Sequence, residues 1–339
     1  MSQSSALLQV NNLSVTYFGP PDVQAVHGVT LDVQRGEILG LAGESGCGKT
    51  TLIAALTRLL PDNGEVTQGD ILFDGVDWLA LSHREVDQWR WTRISLVSQS
   101  AMNSLNPVIS IGDQIVDAIY AHQPTTSQKE AWGRAAVLLR MVEVDPKHVH
   151  SYAHELSGGM RQRAMIAMAL ALEPDLVIMD EPTTALDVVV QAQIIHQVRA
   201  LQERLGFSVI FVTHDMSLLL SIADRIAIMY AGEVVEVGSR QLLNHEAGHP
   251  YTQGLIQSFP SVFHQRARVG IPGAPPSMVK PPPGCRFHLR CAAKMNVCAV
   301  VVPEDRDIDG AGHRVRCHLF DEDIVAAKSS SVQSVDGVS

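Results

Sequence analysis

The chain has 339 residues, 46% hydrophobic and 18% charged, the balance of a globular protein long enough to bury at least one full core. A formal net charge of −10 and the lack of any long Lys/Arg run weigh against a role built on neutralising nucleic-acid phosphates. The N-terminus, Met1 to Val10, carries no basic segment leading into an apolar core, and the richest apolar run, Ala164 to Leu172, is cut by Glu173-Pro174-Asp175 well short of a bilayer span; the expectation is a chain neither secreted nor membrane-spanning by itself.

Leu7 to Tyr17 alternates loosely and predicts an edge strand, and Ala25 to Val33 predicts a second. Arg35-Gly36-Glu37 turns the chain into Ile38 to Ala42, an apolar run of buried-strand type, and the string GESGCGKT starts directly after it at Gly43. Thr50 to Leu60 is apolar at helical spacing and stops at Pro61. A Gly-x-x-x-x-Gly-Lys-Thr loop between strand and helix turns successive backbone N–H groups toward phosphate oxygens and opens a helix whose dipole favours anions. Gly43, Ser45, Gly46, Cys47, Gly48, Lys49, Thr50 and Thr51 are therefore candidate nucleotide-binding residues, with Lys49 directed at the β- and γ-phosphates and Thr50 at Mg²⁺.

Gly69 to Leu72 and Ile94 to Val97 predict further strands, with Gln99 just past the second. From Ile111 to Glu143 the pattern turns helical, and a helical subdomain is expected over about Asn103 to Leu172. Inside it LSGGMRQR begins at Leu156; Ser157, Gly158 and Gly159 open a helix through Met160 to Leu172, where a hydroxyl and bare glycine amides make an anion site. Leu176 to Met179 predicts a buried strand delivering Asp180 and Glu181 to the rim of the sheet, where open α/β folds bind ligands. Asp180 suits an outer-sphere Mg²⁺ partner and Glu181 a general base for an attacking water. Gln191 to Leu205 predicts a helix, Ser208 to Thr213 a strand leading to His214, and Arg225 to Tyr230 another strand, an alternation that implies a parallel α/β core. Beyond Phe259, IPGAPPSMVKPPPG has too many prolines for helix or central strand and reads as an extended connector. Cys285, Cys291, Cys298 and Cys317 follow; without an export signal such a group suggests metal ligation before disulfides, by zinc or an iron–sulfur cluster. After Phe320 the Ser/Val-rich chain predicts a frayed tail.

A P-loop, then LSGGM, then an apolar strand ending in Asp-Glu resembles the ATP-binding cassette (ABC) superfamily. GESGCGKT, SLNPVISIGDQI from Ser104, HELSGGMRQRAMIAMAL from His154, EPTTALDVVVQAQI from Glu181 and PGAPPSMVKPPPGCRFHLRC from Pro272 are similar to the ATP-binding subunits of bacterial and archaeal dipeptide/oligopeptide importers, over Leu7 to about Leu319. The resemblance implies an α/β fold: a P-loop NTPase core of ABC type with an antiparallel β subdomain, a helical subdomain and a small Cys-rich C-terminal domain. Residues 1–260 would form the ATPase domain, 261–320 the connector and four-Cys domain, and 321–339 a disordered tail. It further implies that Gln99 senses Mg²⁺ and water, that His214 contacts the γ-phosphate, that Asp187 communicates across a dimer, and that Tyr17, with Phe18 as competitor, stacks on adenine. Ser157 to Gly159 would reach ATP held by a second subunit.

The cofactors so implied are ATP, Mg²⁺ and a [4Fe–4S] cluster on the four cysteines, with zinc as alternative. The implied partners are a homologous second ATP-binding subunit, giving a heterodimer, two transmembrane permease subunits and an extracytoplasmic substrate-binding protein, at the cytoplasmic face of the membrane and with no nucleic acid. Two departures stand out. Cys47 occupies a position where Ser is usual and offers a thiol to oxidation, and Ser100-Ala101 follows Gln99 where an acidic residue and Pro are usual, which leaves oligosaccharide or nickel uptake open beside peptide. A soluble ABC ATPase of repair or translation type is a further alternative, from which the single P-loop, single LSGGM and lack of heptads point away; a redox-sensing or nucleic-acid-binding zinc module at the C-terminal cysteines is a third, with little interleaved aromatic surface to support it.

Overall fold

The computed structural model describes residues 6–98, 104–183, 186–258 and 270–321. Gln99 and most of the expected tail lie outside the described residues.

Buried apolar runs pair into two sheets. The smaller, with order β2-β1-β4-β5, is antiparallel and built from β1 (Leu8–Tyr17), β2 (Val23–Val33), β4 (Gly64–Phe73) and β5 (Val76–Asp77). The larger has eight strands. Five are parallel: β3 (Ile38–Ala42), β6 (Ile94–Val97), β7 (Leu176–Asp180), β8 (Ser208–Val212) and β9 (Arg225–Tyr230). β10 (Glu233–Ser239), β11 (Asp305–Asp307) and β12 (Arg314–Arg316) extend it antiparallel, giving the order β11-β12-β10-β9-β3-β8-β7-β6. β3, β7 and β8 are buried at every residue, as parallel strands covered on both faces must be.

α1 (Lys49–Leu56) leaves the P-loop and packs its apolar residues between the sheets, in a core with β1, β2, β3 and Trp78. It ends earlier than its apolar pattern suggests. Arg58 takes a left-handed φ of 54°, and its guanidinium donates to the carbonyls of Trp78 (2.7 Å) and Leu79 (3.0 Å), so the chain turns off before Pro61. α2 (His83–Trp89) is closed by a capping box between Ser82 and Glu85. The helical layer holds α3 (Ile111–His122), α4 (Gln128–Met141) and α5 (Gly158–Ala169), begun respectively by the N-cap hydroxyls of Ser110, Ser127 and Ser157. α6 (Val188–Leu205), α7 (Met216–Ile222), α8 (Arg240–Glu246) and α9 (Pro250–Ser258) complete the described helices. Among the described residues no helix is long and apolar enough to cross a membrane.

Residues 270–283 carry neither helix nor strand, as their prolines dictate. Beyond them β11 and β12 join the edge of the main sheet, with Val315 fully buried opposite Glu236. The α/β fold with antiparallel and mixed sheets is as expected; this pairing of the C-terminal segment with the ATPase sheet is not.

Candidate nucleotide site

β3, β8 and β7 lie side by side and run parallel, so their carboxyl ends open on one edge of the sheet. The register is direct: Leu41 pairs with Val212, and Val212 with Asp180. Asp180 closes β7, and one or two residues beyond these ends come the loop from Gly43, Glu181 and His214. Three stretches far apart in sequence are thereby delivered to one place by strand order alone.

The loop needs its glycines for space as well as for backbone conformation. A Cβ on Gly43 would stand 2.3 Å from Met229 O and 2.6 Å from Cys47 Sγ, and one on Gly48, at φ 107°, would stand 2.4 Å from Ala25 O. Lys49 is buried, its Nζ donating to the carbonyls of Gly43 (2.6 Å) and Glu44 (3.1 Å), so the ammonium arches over the loop it belongs to. Ser45, Gly46 and Thr50 are exposed along the rim. Cys47 lies beneath, 5% exposed, and burial pushes its thiol up. Burial of the thiol, only partly opposed by the Lys49 ammonium beside it, weighs against the oxidation its position in the loop suggests.

Asp180 is 7% exposed, and its carboxyl is pushed up to about 6, first by burial and then by the charge of Glu181, with Lys49 opposing. Two adjoining carboxylates at a half-dry sheet edge fit a dication: bound there, Mg²⁺ would offset the repulsion that raises Asp180. Glu181 turns off β7 with a left-handed φ of 45°, its N–H on Val212 O (2.9 Å), and its Oε1 lies 3.2 Å from His214 Nδ1. Tyr17, at the end of β1, sets its hydroxyl 3.2 Å from Thr51 Oγ1, while Phe18 beside it is 44% exposed.

The LSGGM segment is not joined to this edge by any hydrogen bond among the described residues. Ser157 accepts the N–H of Met160 (3.3 Å) and caps α5, leaving Gly158 and Gly159 at an accessible helix N-terminus. Gly159 abuts α6, since a Cβ there would stand 2.7 Å from Val190. Asp187 caps α6 by accepting from Val189 (3.1 Å) and Val190 (3.0 Å). The heads of α5 and α6 thus meet at one corner, beside the exposed Val188 and Val189.

The expected cysteine cluster is a correction. Among the described residues no group of three or more His, Cys, Asp or Glu side chains could hold a metal ion. Cys285, Cys291, Cys298 and Cys317 are free thiols. Burial pushes Cys285 up to about 12, Cys317 up to about 11 and Cys291 upward. Neither a [4Fe–4S] cluster nor zinc fits. The segment is fastened to the core without a metal: Arg286 pairs with Glu233 at 3.1 Å, Phe287 packs edge-on against Tyr230 (5.2 Å), and β12 pairs with β10.

Residues 26–184 match the family described as "ABC transporter", and residues 235–298 the family described as "Oligopeptide/dipeptide transporter, C-terminal region". The chain is 40% identical over 94% of its length to a dipeptide transport ATP-binding protein DppD of Caldanaerobacter subterraneus subsp. tengcongensis, of which 98% is covered. It is 43% identical over 93% of its length to the dipeptide transport ATP-binding protein DppD of Bacillus subtilis, of which 95% is covered. Among solved structures it is similar to a dimeric post-hydrolysis state of the ATP-binding cassette MJ0796 bound to ADP and Pi, with 28% identity, a TM-score of 0.62, and coverage of 69% of this chain and 98% of that one.

Proposed function

The chain belongs to the ABC transporter family, among its dipeptide/oligopeptide transport ATP-binding subunits, and on that footing we propose that it is the ATP-hydrolysing motor subunit of a peptide importer. The observation that carries the ATPase reading is the alignment of the P-loop, Asp180-Glu181 and His214 on the adjacent parallel ends of β3, β7 and β8. Peptide as cargo is supported by similarity to proteins so named along almost their whole length.

In this reading the loop N–H groups from Ser45 to Thr51 and the Lys49 ammonium hold the phosphates, and Tyr17 offers a ring face to adenine. Thr50, Asp180 and Gln99 would hold Mg²⁺, which when bound neutralises charge on the phosphate oxygens. Glu181 accepts the proton of the attacking water, while His214, 3.2 Å away, holds that carboxylate and turns its ring toward the γ-phosphate. Ser157, Gly158 and Gly159 serve the nucleotide of a second cassette, and Asp187, beside the exposed Val188 and Val189, meets it. The reading divides the chain into a nucleotide-binding domain over 1–260, with a helical subdomain over about 103–172, and a C-terminal region over 261–320 whose cysteines are thiols. The working assembly pairs it with a homologous cassette and two permease subunits, peripheral at the cytoplasmic face, and receives peptide from an external binding protein.

Glu181→Gln tests the assignment. An amide keeps the shape but cannot take the proton, so the variant binds ATP with wild-type affinity and loses at least about a hundredfold in single-turnover hydrolysis. Wild-type turnover in that variant would remove Glu181 from the chemistry.

A further inference from the structure

The stretch between Cys285 and Cys291 reaches the back of the P-loop. Arg290 meets the Glu44 carboxylate with both terminal nitrogens, Nη1 to Oε2 at 2.6 Å and Nη2 to Oε1 at 2.9 Å. Its Nε donates to Pro272 O (2.8 Å), and its guanidinium lies 5.8 Å from the centre of the Tyr230 ring. The arginine side chain is only 6% exposed. Glu44 is fixed from the other side, its N–H donating to the Tyr251 hydroxyl at 2.9 Å. Four residues earlier Arg286 holds the β9–β10 turn through Glu233 and the Ala231 carbonyl, and in that turn the Gly232 N–H donates to Cys47 O at 2.8 Å. The C-terminal segment therefore supports the loop at two places, Glu44 directly and Cys47 through one turn.

Glu44 is chemically out of place. It sets a carboxylate in a loop whose amides and lysine are there to receive a polyanion, and its charge, left unpaired, opposes that ligand. A buried guanidinium fork in bidentate register cancels the charge and fixes the carboxylate's plane, which an ammonium cannot do. We propose that Arg290 is a positioning residue for nucleotide binding: by pairing with Glu44 it removes a negative charge from the phosphate cradle and holds the loop's backbone, making the C-terminal segment a working part of the ATP site. This rests on the ATP-binding reading above.

The test is equilibrium binding of Mg·ATP to the full chain at low and high salt, read beside thermal stability. Wild-type protein binds; Arg290→Ala binds about tenfold more weakly at low salt. The deficit shrinks at high salt, because the freed carboxylate's repulsion is screened. Glu44→Gln in the Arg290→Ala background returns affinity to within about threefold of wild type, since no charge then remains to cancel. Wild-type affinity in Arg290→Ala, a deficit indifferent to salt, or no recovery in the double variant overturns the proposal even if stability falls. If Arg290→Ala does not fold, Arg290→Lys decides: it keeps a charge without the fork and binds a few-fold more weakly, and wild-type affinity overturns the proposal. A wild-type chain that binds no ATP would instead overturn the reading of the site itself.

Discussion

Glu181 holds a left-handed backbone conformation that costs a residue bearing a Cβ about 1 kcal/mol or more. That conformation turns the chain off β7 so that the carboxylate meets His214 from the next strand. Asp-Glu at a strand end behind a P-loop is a narrow pattern that marked Glu181, whereas His214 was marked only by the family resemblance. Sequence alone could not mark Arg290 or Glu44, whose meaning lies in a contact across 246 positions that no local spacing encodes. The cysteines misled for a related reason: their spacing is visible, but whether their side chains come together in a metal-holding group is not. A different buried group sets an acid limit. His249 is 1% exposed, its Nδ1 accepts the Tyr251 N–H at 3.0 Å, and burial pushes it down to about 4 against the opposing pull of Glu236. Its folded value lies below the ordinary 6.5, so its stabilising contribution is complete above pH 6.5 and is lost as pH falls toward 4. His313, held above its usual value by its hydrogen bond to Glu236, acts in the opposite sense. The difference between variants therefore isolates His249: His249→Asn, which keeps an acceptor without a proton to gain, should lose stability less steeply than wild type from pH 6.5 to 4, by about 2–3 kcal/mol across the window in denaturant titrations. Parallel curves would show that His249 does not titrate on unfolding.

At the scale of elements, β3, β6 and β9 match the bounds their apolar runs predict, because a strand buried on both faces writes itself as a continuous apolar stretch. β11 and β12 were illegible for the converse reason. Asp305–Asp307 and Arg314–Arg316 are three residues each and mostly charged, and only Val315 faces the core. Helix starts at Ser110, Ser127 and Ser157 agree with their capping chemistry, whereas the end of α1 depends on Arg58 reaching Trp78 across the fold. Since β12 continues the sheet through β10 and β9 to β3, the C-terminal segment and the ATPase core should unfold together. Val315→Asp buries a carboxylate without a partner, and we expect it to lower the stability of the whole chain by about 3 kcal/mol or more with one calorimetric transition retained. A second transition, with the main one unmoved, would make the segment an independent domain.

At the scale of the molecule, the proposed function divides the hydrolytic machinery between two cassettes. The strand ends carry the P-loop, Glu181 and His214, and under the proposed function Ser157 and Asp187, at the heads of α5 and α6, would serve a second cassette. An isolated chain should accordingly be a weak ATPase, and its activity should rise with the assembly around it. The most direct measurement is uptake of a labelled dipeptide into sealed vesicles by the complex isolated from native membranes through this chain, with ATP hydrolysis followed in parallel. The account predicts that binding-protein-delivered peptide stimulates hydrolysis, that label accumulates only with ATP, and that Glu181→Gln abolishes both. Peptide uptake that persists in Glu181→Gln, or full hydrolysis by the lone chain indifferent to membrane partners and peptide, would contradict it.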